Sequence, residues 1–305
     1  MAGMFNCGFQ DDVEEPQGLQ GRGENPPLGR GHMNCFFREG REMDSILERI
    51  ARASVAEDGC AVFWFEQSHF ALKTPDGAVT HLDPFLSRVL KVEKHIHAQS
   101  LAEPAAVWAD FVLLTHDHRD HTDPFTLGPM AQTNPACRFL GPPEACARCR
   151  ACGIDAARLT EIREGERVEL GPFRVQAVYA RDTSADPTGP DATTHLGYVL
   201  ETTSGLKIYD VGDTHCDIAS YRARLAPLEG LRPDLMLVPI NEGYSNPGPR
   251  GASTLVQITD PSVIVPCHYG CMKENTLDPV LFVEALPAVY RDRVRIVPRG
   301  GKLTL

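Results

Sequence analysis

Apolar residues fall into two patterns along this chain. In the first, CAVFWFEQ (60–67), HFALKT (69–74) and AVTHLDPF (78–85) follow one another with a PDG turn at 75–77 between the last two, which predicts antiparallel strands joined by a tight turn. In the second, FVLLT (111–115), LKIYDV (206–211), DLMLVPI (234–240) and SVIVP (262–266) are short, unbroken and rich in β-branched residues. Such runs suit strands buried on both faces beneath helices. Helix candidates lie at PPEACARCRAC (142–152), SYRARLAPL (220–228) and GASTLVQIT (251–259). Order is expected to begin at MDSILERIARASV (43–55), where Ile46, Leu47, Ile50 and Ala53 recur on one helical face. Strands alternating with helices predict an α/β sandwich.

Residues 1–42 hold neither period. QGLQGRGENPPLGRGH is rich in Gly and Pro, and the segment is expected to be a mobile tail ahead of one domain over 43–305. Length and a 42% hydrophobic content are enough for a full core in that domain. A net charge of −11 argues against a general nucleic-acid binder, whose affinity comes from neutralising phosphates. No apolar run is long enough to span a bilayer, and the start lacks the basic and apolar regions of a secretory signal. Ten cysteines without such a signal are expected to be reduced thiols in a cytoplasm.

Several buried runs end in residues able to bind metal. FVLLT leads into His116, YDVG into Asp213 and SVIVPC into His268. The densest segment is LLTHDHRDHTDP, with His116, Asp117, His118, Asp120 and His121. Three imidazoles and two carboxylates within six residues suit a borderline divalent ion far better than a solvated loop. After a strand, His116 and His118 can point to one side while Asp120 and His121 wrap towards a second position. Cys146, Cys149 and Cys152 form a second candidate, C-x-x-C-x-x-C, which could hold zinc or part of an iron–sulfur cluster. No fourth Cys stands at the usual spacing, so helix packing is the expected role.

The His-x-His-x-Asp-His turn resembles that of the metallo-β-lactamase superfamily, and the match is complete at His116, His118, Asp120 and His121. The resemblance implies a four-layer αββα sandwich, with the first two His in metal site one and Asp120 and His121 in site two. By the same resemblance IYDVGDTH supplies a bridging Asp213, IVPCHYG the final ligand His268, and HLDPFL an Asp83 that orients the first metal ligands. FWFEQSHFALKTPDG, THDHRDHTDP, LMLVPINEG and PCHYG with ENTLDP after it are most similar to the ascorbate-6-phosphate lactonase branch. That branch implies hydrolysis of a lactone or related ester of a small polar, phosphorylated or unphosphorylated, metabolite. A phosphodiesterase of the same fold and a non-catalytic metal-binding protein are the rival readings. A redox di-iron role fits less well, because that branch carries Glu where this chain has His118.

One departure stands out. The superfamily supplies a third His to site one, yet the expected position in VQAVYARDTSADPTGPDATTHLGYVL falls near Arg181 and Asp182, and the stretch's His195 lies only two residues before Gly197. Asp182 could replace the missing ligand, His195 could reach in from the strand start, or site one could be incomplete. The expectation taken forward is Asp182 as ligand, with His195 and Asn241 facing the substrate. A carboxylate in site one would shift preference from Zn²⁺ towards Mn²⁺ or Fe²⁺. One or two such ions would lower the pKa of bound water towards ~7, with Asp120 orienting the nucleophile or passing a proton to the leaving oxygen. The expected partner is a small-molecule substrate, with neither nucleic acid nor membrane, and a homo-oligomer is compatible with the sequence.

Overall fold

The computed structural model describes residues 44–89, 92–182, 194–215, 218 and 222–305, except the side chains of 182 and 194. The expected tail, residues 1–42, lies outside these residues.

The first helix, α1 (Ile46–Arg52), opens on a capping box. The Ser45 hydroxyl accepts from the Glu48 N–H, and the Glu48 carboxylate accepts from the Ser45 N–H. Ile46 and Ile50 are buried, with Leu47 and Ala53 packed beside them, as the helical period predicts.

Strands β1 (Ala61–Glu66), β2 (His69–Lys73) and β3 (Val79–Leu82) form an antiparallel meander. Its second turn needs a left-handed residue, and Gly77 supplies φ 89° while Asp76 accepts from the Thr74 hydroxyl. Next come β4 (Phe111–Leu113), β5 (Arg138–Gly141) and β6 (Leu159–Glu161), all parallel to β3. Between them lie α2 (Pro124–Thr133) and α3 (Pro143–Ala151). The second half begins with β7 (Arg167–Leu170), β8 (Phe173–Asp182) and β9 (Thr194–Thr202), paired antiparallel. It continues with β10 (Lys207–Asp210), β11 (Leu235–Pro239) and β12 (Val263–Cys267), parallel to one another. Helices α4 (Gly248–Thr259), α5 (Pro279–Ala285) and α6 (Ala288–Arg291) precede β13 (Lys302–Thr304), which returns to pair with β1.

Two sheets result, in the orders β13-β1-β2-β3-β4-β5-β6 and β12-β11-β10-β9-β8-β7. The alternation in β1 shows how they stack. Val62 and Trp64 join a core shared with the second sheet, through residues such as Val175, Tyr198 and Leu200. Ala61, Phe63 and Phe65 join a separate core with Leu127 and Met130 of α2 and Ala145 and Cys149 of α3. Leu255 and Val256 of α4 pack against the first of these cores. This is the expected four-layer αββα sandwich, and it explains why the central strands read as unbroken apolar runs.

One expected helix does not form in its described part, and a helix appears where none was expected. SYRARLAPL forms no α-helix in its described part, which turns through residues 222–225 into a short 3₁₀ segment, Ala226–Leu228; residues 220 and 221 of that stretch lie outside the described residues. Pro227 and the following Gly230 are poor material for a longer helix. In contrast, PFTLGPMAQT is helical despite Gly128 and Pro129. It starts where Asp123 accepts from the Phe125 N–H and Pro124 takes the first turn, and buried Leu127, Met130 and Ala131 hold it to the sheet.

Candidate metal centre

The strand directions gather the chemistry at one edge. The carboxyl ends of β3, β4, β10 and β12 and the amino end of antiparallel β9 lead to Asp83, His116, Asp213, His268 and His195. The sheets are tied there, because the Leu196 N–H beside His195 donates to the Thr115 carbonyl beside His116 at 3.0 Å.

Among the described residues, three groups each hold ligand-capable atoms within 4.8 Å of one another: His116, His118 and His195; His116, His121 and Asp213; and Asp120, His121 and His268. Asp213 Oδ1 is 3.5 Å from His121 Nε2 and 3.4 Å from His268 Nε2. His116 stacks on His195 with ring centroids 3.8 Å apart, and the His118 ring meets both edge-on.

These atoms are buried and polar, yet many have no protein partner. Among the described residues, His116 Nε2, His121 Nε2, both ring nitrogens of His195 and Asp213 Oδ1 lack a hydrogen bond. A fold rarely tolerates one such buried atom, since leaving it unpaired costs about 1–3 kcal/mol. Such atoms come from His116, His121, His195 and Asp213, which belong to the overlapping groups above, and imidazoles with a carboxylate fit one or two divalent cations of the Zn²⁺, Mn²⁺ or Fe²⁺ type.

The electrostatics agree. Burial and the neighbouring imidazoles push the His116 ring well below the ordinary histidine range. Burial takes His195 down to about 3. Both rings are therefore neutral and able to donate lone pairs. For His121, burial opposes charge, but Asp213, Asp120 and Asp83 outweigh it and push the ring up to about 10. The negative field that holds a proton there is the field a cation would neutralise.

Asp83 is fully buried and accepts three hydrogen bonds. They come from the Thr115 N–H at 2.8 Å, the Thr115 hydroxyl at 2.6 Å and His121 Nδ1 at 2.6 Å. It therefore holds a ligand of the second group directly, and reaches the first group only through Thr115.

Of the two candidates for the third ligand of site one, only the side chain of His195 lies within the described residues. His195 stands with His116 and His118, although its sequence position looked too late. Strand β8 runs to Asp182, whose side chain lies outside the described residues, and the hairpin brings His195 opposite Arg181. Asn241 departs from expectation. It is fully buried, donates to Asn275 Oδ1 at 3.2 Å and accepts from Asn246 Nδ2 at 3.2 Å, so its amide is consumed behind the pocket wall. The residues that reach the cleft are Asn246, which also donates to Asp213 Oδ2 at 2.9 Å, and Asn275. Cys146 and Cys149 are buried in α3, and burial pushes the Cys146 thiol up to about 11, which suits packing and opposes a metal-binding thiolate.

Gln67 was missed. Its Nε2 donates to Asp120 Oδ2 at 2.9 Å, and its carbonyl accepts from Trp64 Nε1 at 2.9 Å and the His268 N–H at 3.0 Å. It sits just past β1, so the strand-end rule that picked His116 and His268 could have found it. Gln67, Asp83 and His268 have φ of 52°, 42° and 60°. Such left-handed non-glycine backbone persists where surrounding contacts enforce it, and here it turns three side chains into one space.

Residues 80–269 match the family model described as "Beta-lactamase superfamily domain". The chain belongs to the metallo-β-lactamase superfamily. Within the superfamily it groups with proteins named as metal-dependent hydrolases. One, a UPF0173 metal-dependent hydrolase of Myxococcus xanthus, is 28% identical over 273 residues, covering 83% of this chain and 86% of the relative. Another, a UPF0173 metal-dependent hydrolase of Xanthobacter autotrophicus, is 30% identical over 247 residues, covering 79% and 96%. Among solved structures, Igni18, a metallo hydrolase from the archaeon Ignicoccus hospitalis, superposes with a TM-score of 0.61 at 21% identity, over 81% of this chain and 98% of that one. An isothiocyanate hydrolase from Delia radicum gut bacteria gives 0.57 at 16% identity, over 80% and 98%. These two structures show the superfamily fold. No helix among the described residues is long and apolar enough to cross a membrane.

Proposed function

We propose that this protein hydrolyses a lactone or related ester of a small polar metabolite. In this reading His116, His118 and His195 would hold one divalent cation and Asp120, His121 and His268 a second, with Asp213, which is grouped with His116 and His121, as a further ligand. The observation that carries it is the set of unpartnered buried ligand atoms, which lies beside a cleft of about 370 Å³ lined by His118, Asp120, Asp213 and His268. Divalent cations bound there would supply an activated water and polarise the scissile carbonyl.

The chain's own residues have definable tasks. Asp120 lines the cleft and is held by Gln67, so it can orient the attacking water and pass its proton to the leaving oxygen. Burial opposes its charge, but His121 and His268 hold its carboxyl well below the usual carboxylate range, so it is ionised and can accept. Asn246 fixes Asp213 from the far side. Ser87, Asn246 and Asn275 offer hydrogen bonds at the cleft, while Phe85, Tyr244 and Met272 supply apolar contact. A polar ring compound of modest size suits that lining and volume.

Metal analysis and a substrate panel test the reading. Protein purified without chelator should carry one to two equivalents of divalent metal. It should open lactones faster than it cleaves phosphodiesters, and Asp120→Asn should lose at least 100-fold in kcat with the fold intact. Preference for phosphodiesters would replace the substrate assignment. Protein that takes up no divalent metal would overturn the whole proposal.

A further inference from the structure

The Asp83 carboxylate reaches the two ligand groups by different routes, and the difference lies in one hydroxyl. His121 Nδ1 donates to Asp83 Oδ2 at 2.6 Å, which leaves His121 Nε2 facing Asp120 and Asp213. His116 has no direct contact of this kind. Its Nδ1 lies 2.9 Å from the Thr115 Oγ1, and that hydroxyl lies 2.6 Å from the same Asp83 Oδ2. In that contact the Thr115 hydroxyl donates and Asp83 Oδ2 accepts, so the Thr115 proton points to Asp83. The hydroxyl oxygen is then an acceptor towards His116, and the His116 proton sits on Nδ1. His116 Nε2 is left as a bare lone pair, and it is one of the unpartnered atoms aimed into the site.

We propose that Thr115 is a positioning residue that relays the charge of Asp83 to His116. One buried carboxylate thereby sets the imidazole tautomer on both sides of the metal centre, directly for His121 and through the Thr115 hydroxyl for His116. The proposal rests on the metal-binding reading above. An imidazole whose far N–H is held by an acceptor is a better and better-aimed ligand, and loss of such support costs roughly 10–100-fold in metal affinity.

The structure isolates the hydroxyl for testing. The Thr115 N–H donates to Asp83 Oδ1 and the Thr115 carbonyl accepts from the Leu196 N–H, and neither needs the side chain. Thr115→Val is close to isosteric and keeps both links, so Asp83 and the strand bearing His195 stay in place. What goes is the hydroxyl, with its bonds to Asp83 and His116 and a longer 3.4 Å contact to His121 Nδ1, which keeps its own 2.6 Å bond to Asp83.

The experiment titrates metal-free protein with Zn²⁺ alone and records the ¹⁵N and ¹H signals of the imidazoles in the same metal-free samples. The parent should show His116 protonated at Nδ1. Thr115→Val should weaken one of two zinc-binding events by about 10–100-fold and leave the other within a few-fold, with the His116 Nδ1 proton no longer held. Thr115→Ser, which keeps the hydroxyl, should restore both. Asp83→Ala should weaken both events. Zinc titration of Thr115→Val indistinguishable from the parent overturns the relay, as does a parent in which His116 carries its proton on Nε2. The tautomer in the parent decides the matter even where the valine variant fails to fold. A parent that shows the expected tautomer but binds no zinc sinks the metal reading instead, so the two failures are separable.

Discussion

At the scale of single residues, the site is a contest between charge and burial. Three carboxylates, Asp83, Asp120 and Asp213, face one imidazole, His121, and the field keeps it protonated up to about pH 10 without a cation. Burial keeps His116 and His195 neutral throughout the ordinary range. A cation entering near neutral pH must therefore displace the proton on His121 Nε2, while the other two rings release none. The sign follows: affinity rises with pH, by up to about tenfold per unit for each proton released, and falls on acidification. Burial opposes charge on His268 as well, but Asp213 and Asp120 push its ring up too. Calorimetric titration with Zn²⁺ in buffers of different ionisation enthalpy should therefore report between about one and two protons released per protein at pH 7. Zero would contradict the assignment of His121. A second prediction separates the candidates for the third site-one ligand. His195→Ala should lose about one equivalent of metal, while Asp182→Ala should keep the parental content, because His195 is the residue grouped with His116 and His118. The reverse pattern would restore the carboxylate ligand.

At the scale of elements, the β1–β2–β3 meander carries a buried pair unrelated to the metal centre. His69 Nε2 and His81 Nδ1 are 2.9 Å apart, and His81 Nε2 donates to the Trp108 carbonyl at 3.0 Å. His69 also stacks on Phe65 with centroids 4.1 Å apart. Burial lowers both rings, His81 to about 4 and His69 to well below the ordinary histidine range. The unfolded chain would protonate near pH 6.5, so it takes up protons that the fold refuses. Stability is therefore complete above about pH 6.5 and drains away as pH falls towards 4, by about 3 kcal/mol from His81 alone. Metal-free protein followed by denaturant melts across that window should show the loss. In His81→Asn the slope should be shallower, and an equally steep slope would place the acid sensitivity elsewhere. The same strands show how far periodicity can be read. Their antiparallel order and tight turn were legible because Gly77 and Asp76 act through neighbours in sequence. Helix α2 was hidden, since Gly128 and Pro129 argue locally against a helix that burial of Leu127 and Met130 enforces.

At the scale of the whole molecule, the two sheets meet where β4 and β9 exchange the Leu196-to-Thr115 hydrogen bond, and the ligand groups straddle that seam. A cation held from both sides would cross-link the sandwich, and binding only to the folded state adds about 4 kcal/mol at a thousandfold excess over Kd. Chelation should accordingly lower the melting temperature by several degrees, reversibly on adding Zn²⁺. The described residues open with a capped helix, because Ser45 and Glu48 close the start of α1 between them. Removing residues 1–42 should leave both melting temperature and metal content within error of the full chain. A large loss of either would show that the segment packs on the sandwich.

The sequence by itself determined the fold class and pointed to most of the candidate ligands, because these rest on short-range chemistry. Unbroken apolar runs mark strands covered on both faces, and His116, His118, Asp120 and His121 are brought together by a turn of only six residues. Asp213 and His268 were legible for a related reason, since each closely follows a buried run. Tertiary structure alone decided His195, Asn241, Gln67 and Thr115. The place of His195 depends on how the β8–β9 hairpin lies against β4, a pairing between residues some 80 positions apart that no local spacing encodes. Asn241 follows its strand as a ligand would, yet its amide is used up by Asn246 and Asn275 from other segments. Thr115 reads as the last residue of an apolar strand, and only folding brings Asp83 within 2.6 Å of its hydroxyl. Direction in space, set by register and backbone twist, is what a linear pattern cannot carry.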